Sequence, residues 1–299
     1  MASYIHINRE NFTKITTEYL NRVGRSYDEI NKIINDCLKY QTLFREEIKP
    51  TSLDPTKKPK ALFLLGPAGS GKSFVFKKLS FPPNVYLYNP DQYVEAVLDL
   101  FQFTDENERI LKDIIKDVIP ESNEHENTLS DYFYKWKSGL TIWLLGRAKE
   151  CSFKDFNHIV ENRASLIIDR PGDSLFAKTR AYGSNKGFTK DASVNDQMKY
   201  LKKKGYDIFI LIVYTDLETC LKRNRGRKRS LPPHTVKNIW KGVIDLIPAY
   251  QAKANAYNSN QILIYDNRPE SAIAKDTNAP PGMVRDDTAL TTIQNWFST

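Results

Sequence analysis

Residues 61–78, "ALFLLGPAGSGKSFVFKK", constrain this chain more than any other stretch. The apolar run 61–65 predicts a short, fully buried strand. Gly66, Pro67, Ala68, Gly69, Ser70, Gly71, Lys72 and Ser73 follow it directly and lead into the helical pattern "KSFVFKKLS". Gly69 and Gly71 let the backbone turn its N–H groups inward, and the helix start adds the positive end of its dipole. Such a turn suits anionic oxygens. The G-x-x-x-x-G-K-[ST] spacing gives Lys72 reach to the β- and γ-phosphates of a nucleoside triphosphate and lets the Ser73 hydroxyl ligate Mg2+. Residues 66–74, Phe74 included, are the expected binding segment for a nucleoside triphosphate.

Four more apolar runs follow, at 84–89, 165–169, 206–214 and 261–265. Their continuous rather than alternating apolarity predicts parallel strands covered on both faces. Residues 90–164 are far longer than the dozen or so that a crossover needs, so a helical insertion is expected at about 100–163. Its Tyr132, Tyr134, Trp136 and Lys137 are candidates for lining a substrate site or, at helical spacing, for a core. Upstream, Ile30, Ile33, Ile34, Cys37, Leu38, Phe44 and Ile48 share one helical face behind a Ser26 to Glu29 capping-box pattern. This predicts an N-terminal helical extension over 1–58, ending in a linker "TSLDPTKKPK" (51–60). The main domain is expected at 59–270 and a C-terminal loop and helix at 271–299. Residues 173–192 and 268–287 read as mobile loops.

A hydrophobic content of 40% with 12% aromatics is enough for a substantial core, and a formal net charge of +8 suits anionic partners or serves solubility. Cys37, Cys151 and Cys220 lack C-x-x-C spacing, so neither a disulfide framework nor a zinc site is expected, and a reducing cytoplasmic setting fits best. The N-terminus shows no signal-peptide pattern, and no run approaches the roughly 18 apolar residues of a spanning helix. No membrane partner is expected.

Three features beyond the glycine loop bear on chemistry. The 165–169 run ends in Asp169, which reads as a magnesium-side carboxylate or a plain loop-start aspartate. After the 84–89 run comes "YNPDQY", where Asn89 can cap, Pro90 suits the first helical position and Asp91 lies at the carboxyl edge of a strand. A carboxylate there can accept the proton of an incoming hydroxyl, or merely complement the helix dipole. Finally, Thr215 and Glu218 form a capping-box pattern, and the helix so begun runs into Arg223, Arg225, Arg227 and Arg229 before Pro232 and Pro233. That run is a solvated face, a nucleic-acid contact, or a lid whose guanidinium groups close over a transferring phosphate. The lid reading is preferred, because the run follows the fourth strand and the remaining basic residues are dispersed.

Loop, post-strand aspartate and arginine-rich segment, in this order, resemble the P-loop kinases of the zeta-toxin and polynucleotide-kinase group over about residues 60–268. "KPKALFLLGPAGSGKSFVFKKL", "VYLYNPDQY", "KRN" and "RSLPPHTV" carry the likeness to both families, and "ILIYDNRPES" is similar to the closing strand and loop of a zeta toxin. The resemblance implies an α/β fold: a P-loop NTPase three-layer sandwich with a mainly parallel five-stranded sheet, a helical extension before it and a helical insertion between strands 2 and 3. It implies Lys72 on the ATP phosphates, Asp91 as base, and Arg229 with Arg223 or Arg225 on the transferring phosphoryl group. Two departures stand out. Zeta toxins carry a glutamate and a threonine after the third strand, where this chain has "DRPGD", and polynucleotide kinases often carry an arginine where it has Val94. Zeta toxins phosphorylate UDP-N-acetylglucosamine, polynucleotide kinases a nucleic-acid 5′-hydroxyl, and related enzymes antibiotic hydroxyls. The expectation is an ATP- and Mg2+-dependent kinase acting on a nucleotide sugar or other small molecule, with an antitoxin-like protein as a further partner. The alternatives are a 5′-hydroxyl polynucleotide kinase and a nucleotide-dependent nucleic-acid-binding module.

Overall fold

The computed structural model describes residues 7–35, 57–82, 84–102, 104–123, 126–173, 193–226, 231–257 and 261–299. In chain order they form α1 (Arg9–Arg22), α2 (Tyr27–Asn35), β1 (Lys60–Leu65), α3 (Lys72–Lys78), β2 (Val85–Tyr88), α4 (Pro90–Leu100), α5 (Asp105–Val118) and α6 (Glu126–Glu161). There follow β3 (Ser165–Arg170), α7 (Val194–Lys203), β4 (Asp207–Tyr214), α8 (Leu217–Arg225), α9 (Pro233–Ala256), β5 (Ile262–Asp266), α10 (Glu270–Ile273) and α11 (Thr288–Ser298). The chain divides into two compact units, 1–48 with 90–154 and 49–89 with 155–299.

The second unit holds one sheet of order β2-β3-β1-β4-β5. Every pairing is parallel, and each strand begins and ends within one residue of its apolar run. β1 is buried along its whole length because it lies between β3 and β4. Leu62, Leu64, Ile167, Phe209, Leu211 and Val213 pack on one face with Val75 of α3 and with Leu290, Ile293 and Phe297 of α11. The alternate residues Phe63, Ile168, Ile208, Ile210 and Ile212 are equally buried and point the other way. Helices α7 and α9 lie against β4. Helices therefore cover both faces, which is the three-layer α/β arrangement.

Residues 268–287 differ from the expected mobile loop. Val284 forms a parallel bridge with Tyr265, in which the Asp266 N–H donates to the Val284 carbonyl at 2.8 Å and the Val284 N–H to that of Ile264 at 2.9 Å. Arg268 is buried between two carboxylates, with Nη2 2.8 Å from Asp266 Oδ2 and Nη1 3.3 Å from Asp276 Oδ2. Burial alone would raise the Asp266 pKa, but the hydrogen bonds and charge of Arg268 outweigh it and hold the carboxyl below its ordinary range. Breaking such a buried pair is costly, and this holds the segment in place.

The first unit is helical. Ile15, Tyr19 and Leu20 of α1 and Ile30, Ile33 and Ile34 of α2 share a core with Val94 and Val97 of α4, Leu111, Ile114 and Ile115 of α5, and Trp136, Leu140 and Leu144 of α6. The N-terminal helices and the inserted helices thus bury one another. Trp136 is fully buried, and its Nε1 donates to Thr16 Oγ1 at 3.1 Å, so it is a core residue. Tyr132 packs partly buried against the same cluster, Lys137 sits 5.7 Å over the Phe133 ring, and the Tyr134 side chain lies outside those described. Cys151 is disulfide-bonded, although the cysteine spacing gave no expectation of a disulfide framework; Cys220 is free and buried. No described helix is long and apolar enough to cross a membrane.

Candidate nucleotide and phosphoryl-transfer site

The loop leaves the carboxyl end of β1. Its turn is closed by the Ser70 N–H donating to the Pro67 carbonyl at 3.1 Å, and α3 starts where the Phe74 and Val75 N–H groups donate to the Gly71 carbonyl at 2.9 and 3.0 Å. Gly69 and Gly71 have φ of 84° and 90°, a left-handed backbone that disfavours any side chain. Space excludes one as well: a Cβ on Gly69 would run into the backbone carbonyl of Cys220, and one on Gly71 into the Asn267 side-chain amide. Among the described residues, no acceptor takes the N–H of Gly69, Gly71, Lys72 or Ser73. A run of unclaimed donors at a helix start is a receptor for anionic oxygens.

The sheet order sets what surrounds the loop. β3 is the neighbour of β1, with Asp169 in register with Leu64, and β2 lies next to β3. Lys72 Nζ donates to the Gly66 carbonyl at 2.6 Å and lies 3.8 Å from Asp169 Oδ1, both side chains being 15% exposed. Asn89, at the end of β2, donates to Asp169 Oδ2 at 3.0 Å. Pro90 opens α4 as expected, while the Asn89 side chain reaches Asp169. Ser73 and Phe74 are exposed; Ser70 is buried, and its hydroxyl finds no partner.

Behind the loop, α8 and the end of β5 take up carbonyl oxygens. Arg223 Nη1 donates to the Gly69 and Ser70 carbonyls at 3.4 and 3.3 Å, and Nη2 to that of Asn267 at 3.4 Å. Asn267 Nδ2 donates to the Ser70 carbonyl at 2.7 Å, and its own N–H is fixed on the Tyr214 carbonyl at 2.8 Å. These contacts turn carbonyls backward and leave the N–H groups for a ligand. Sequence reasoning missed Asn267, although its place just past the carboxyl end of a parallel strand was a usable signal. Cys220 packs against the same turn, where burial, with Asp216 nearby, pushes its thiol up to about 12. The cap of α8 is Asp216, which accepts the Thr219 N–H at 2.8 Å, and not Thr215, whose hydroxyl donates to the Asn267 carbonyl.

Asp91 stands in the first turn of α4, two residues after Asn89. Arg225 is exposed, and Arg227 and Arg229 lie outside the described residues. Lys72, Asp169, Asn89 and the loop donors are therefore brought together, with Arg223 seated on the loop backbone.

An all-parallel sheet, a glycine loop between its central strand and a helix, and an aspartate near the carboxyl end of the adjacent strand define an α/β protein of the P-loop class. The chain is similar over 91% of its length to a structure of the PezAT chromosomal toxin-antitoxin system of Streptococcus pneumoniae, with 11% identity, 95% of that chain covered and a TM-score of 0.41. It is also similar to AvrRxo1-ORF1:-ORF2 with ATP (12% identity, 89% of this chain and 70% of that one, TM-score 0.42). A third likeness is to shikimate kinase of Bacteroides thetaiotaomicron (15% identity, 80% and 99%, TM-score 0.32). No protein-family model matches the sequence, and no curated protein does.

Proposed function

We propose that the chain is an ATP- and Mg2+-dependent phosphotransferase that moves the γ-phosphoryl group of ATP to the hydroxyl of a nucleotide sugar or another small molecule. The observation that carries this is the row of unclaimed loop N–H groups beside Lys72 and the Asn89-held Asp169. Lys72 exchanges the Gly66 carbonyl for phosphate oxygens. Ser73 and Asp169 are hard oxygen donors suited to Mg2+, which when bound would neutralise developing phosphate charge. Ser73 and Asp169 would hold the ion together with the nucleotide.

Asp91 accepts the proton of the acceptor hydroxyl as its oxygen bonds to the γ-phosphorus, and the bond from that phosphorus to the β–γ bridging oxygen breaks to leave ADP. Arg229 stabilises the transferring group, while Arg223 steadies the loop from behind. The resemblance to zeta toxins, carried by "ILIYDNRPES" and by the helices before the loop, ranks a small acceptor above a polynucleotide and extends the proposal to an antitoxin-like inhibitor.

The test offers γ-labelled ATP with nucleotide sugars, small alcohols and 5′-hydroxyl oligonucleotides as separate acceptors. The expected result is label on a small acceptor with the natural chain and none with Lys72→Ala. Label appearing only on oligonucleotides would move the assignment to the polynucleotide class. ATP binding with no transfer to any acceptor would leave a binding module.

A further inference from the structure

We propose that the amino-terminal edge of the sheet, opposite the nucleotide loop, is a second binding surface that takes the phosphate backbone of a nucleic acid. The basic residues concerned are scattered along the sequence, and the topology gathers them. Lys57 and Lys58 precede β1, Arg163 precedes β3, and Lys202, Lys203 and Lys204 precede β4. Because β3, β1 and β4 are neighbours and parallel, all six come to one edge. Glu161 and Asp207 are the acidic residues of the same turns, so six positive charges face two negative ones, a large share of the formal surplus of +8. A parallel strand of this length keeps that edge ~20 Å from the phosphate loop.

Two further observations point to a ligand. Arg163 sits at φ 53° where α6 ends, whereas the equivalent turn after α7 uses Gly205 at φ 83°. Glycine would relieve about 1 kcal/mol of left-handed strain there, so the fold holds an exposed guanidinium at an unfavourable backbone position. The lysines are also pre-placed: Lys204 Nζ lies 5.6 Å over the Tyr200 ring and Lys202 Nζ 5.5 Å over that of Tyr257. One ammonium group thus lies against each ring. Lysine and arginine groups of this kind contact phosphates, which carry no sequence information.

Three adjacent strands span ~10 Å, room for about three phosphates, which gives a salt slope of about −2 on a single strand and a Kd of roughly 10⁻⁴–10⁻⁶ M. The experiment is fluorescence anisotropy with a single-stranded oligonucleotide whose 5′ end carries the dye and so offers no acceptor hydroxyl. It uses the full chain without ATP and is independent of the phosphotransfer reading. The combined Lys202→Glu, Lys203→Glu, Lys204→Glu variant should bind at least tenfold more weakly and keep the natural thermal midpoint and ATP affinity. Lys57→Glu with Lys58→Glu should weaken binding severalfold and decides the matter if the triple variant fails to fold. Arg225→Glu should leave oligonucleotide affinity within twofold. No binding by the natural chain, unchanged binding in the edge variants, loss confined to Arg225→Glu, or tighter binding to phosphatidylserine vesicles than to the oligonucleotide would each overturn the proposal.

Discussion

Replacing Gly69 by alanine tests the loop geometry at its tightest point, and Gly205 provides a matched control. The two residues share almost the same backbone, φ 84° and 83°, so the left-handed penalty of about 1–2 kcal/mol applies equally to both. Their surroundings differ. A Cβ on Gly205 meets nothing within 4 Å, whereas one on Gly69 collides with the Cys220 carbonyl. That oxygen is backbone of α8 (Leu217–Arg225), whose helical geometry leaves a carbonyl little freedom to rotate away. Overpacking of this kind adds about 1–3 kcal/mol, for a total of ~2–5 kcal/mol against the competent loop. At ~1.4 kcal/mol per factor of ten, ATP affinity should fall by about 30-fold at least. Gly205→Ala should lose about 1–2 kcal/mol of stability with unchanged ATP affinity. Calorimetric titration with ATP and thermal melts measure both quantities. A Gly69→Ala chain binding ATP within threefold of the natural one, or equal affinity losses in the two variants, would refute the reasoning.

Asn267→Ala removes the 2.7 Å bond to the Ser70 carbonyl, worth about 1 kcal/mol, and should weaken ATP binding roughly fivefold while leaving the transfer rate at saturation nearly intact; a loss confined to the saturated rate would contradict the bracing role. Since burial pushes the Cys220 thiol up to about 12, it stays protonated at pH 8 and should resist iodoacetamide until urea unfolds the chain, as peptide mass mapping would show. Trp136→Ala should destabilise the helical unit by about 3–5 kcal/mol in urea melts, as a core residue does; a variant of natural stability with lost transfer would restore Trp136 as a lining residue.

The strands were legible because a parallel strand covered on both faces writes itself as a continuous apolar run, and all five runs became strands. Gly69, Gly71, Lys72 and Asp169 were legible for a similar reason, since the loop follows the apolar run of β1 and Asp169 closes the apolar run of β3. Asn267 and Cys220 were not, because their roles depend on β5 and α8 meeting a loop some 150 to 200 residues earlier in the chain. The order in 268–287 was hidden by its polar composition: Arg268 reads as a solvated loop charge until Asp266 and Asp276 are seen to enclose it. Similarly, Trp136 in a long aromatic helix could be assigned to a core or a pocket only once Thr16 was found against it.

Phosphoryl transfer with Asp91 as the base is the central claim, and one comparison tests it most directly. Natural chain and Asp91→Asn are titrated with ATP and assayed with γ-labelled ATP and the acceptor that the screen identifies. A base of this kind contributes on the order of 10²–10⁴-fold, so the variant should bind ATP as the natural chain does and transfer phosphate more slowly by that factor. Transfer by Asp91→Asn within a few fold of the natural rate would contradict the assignment.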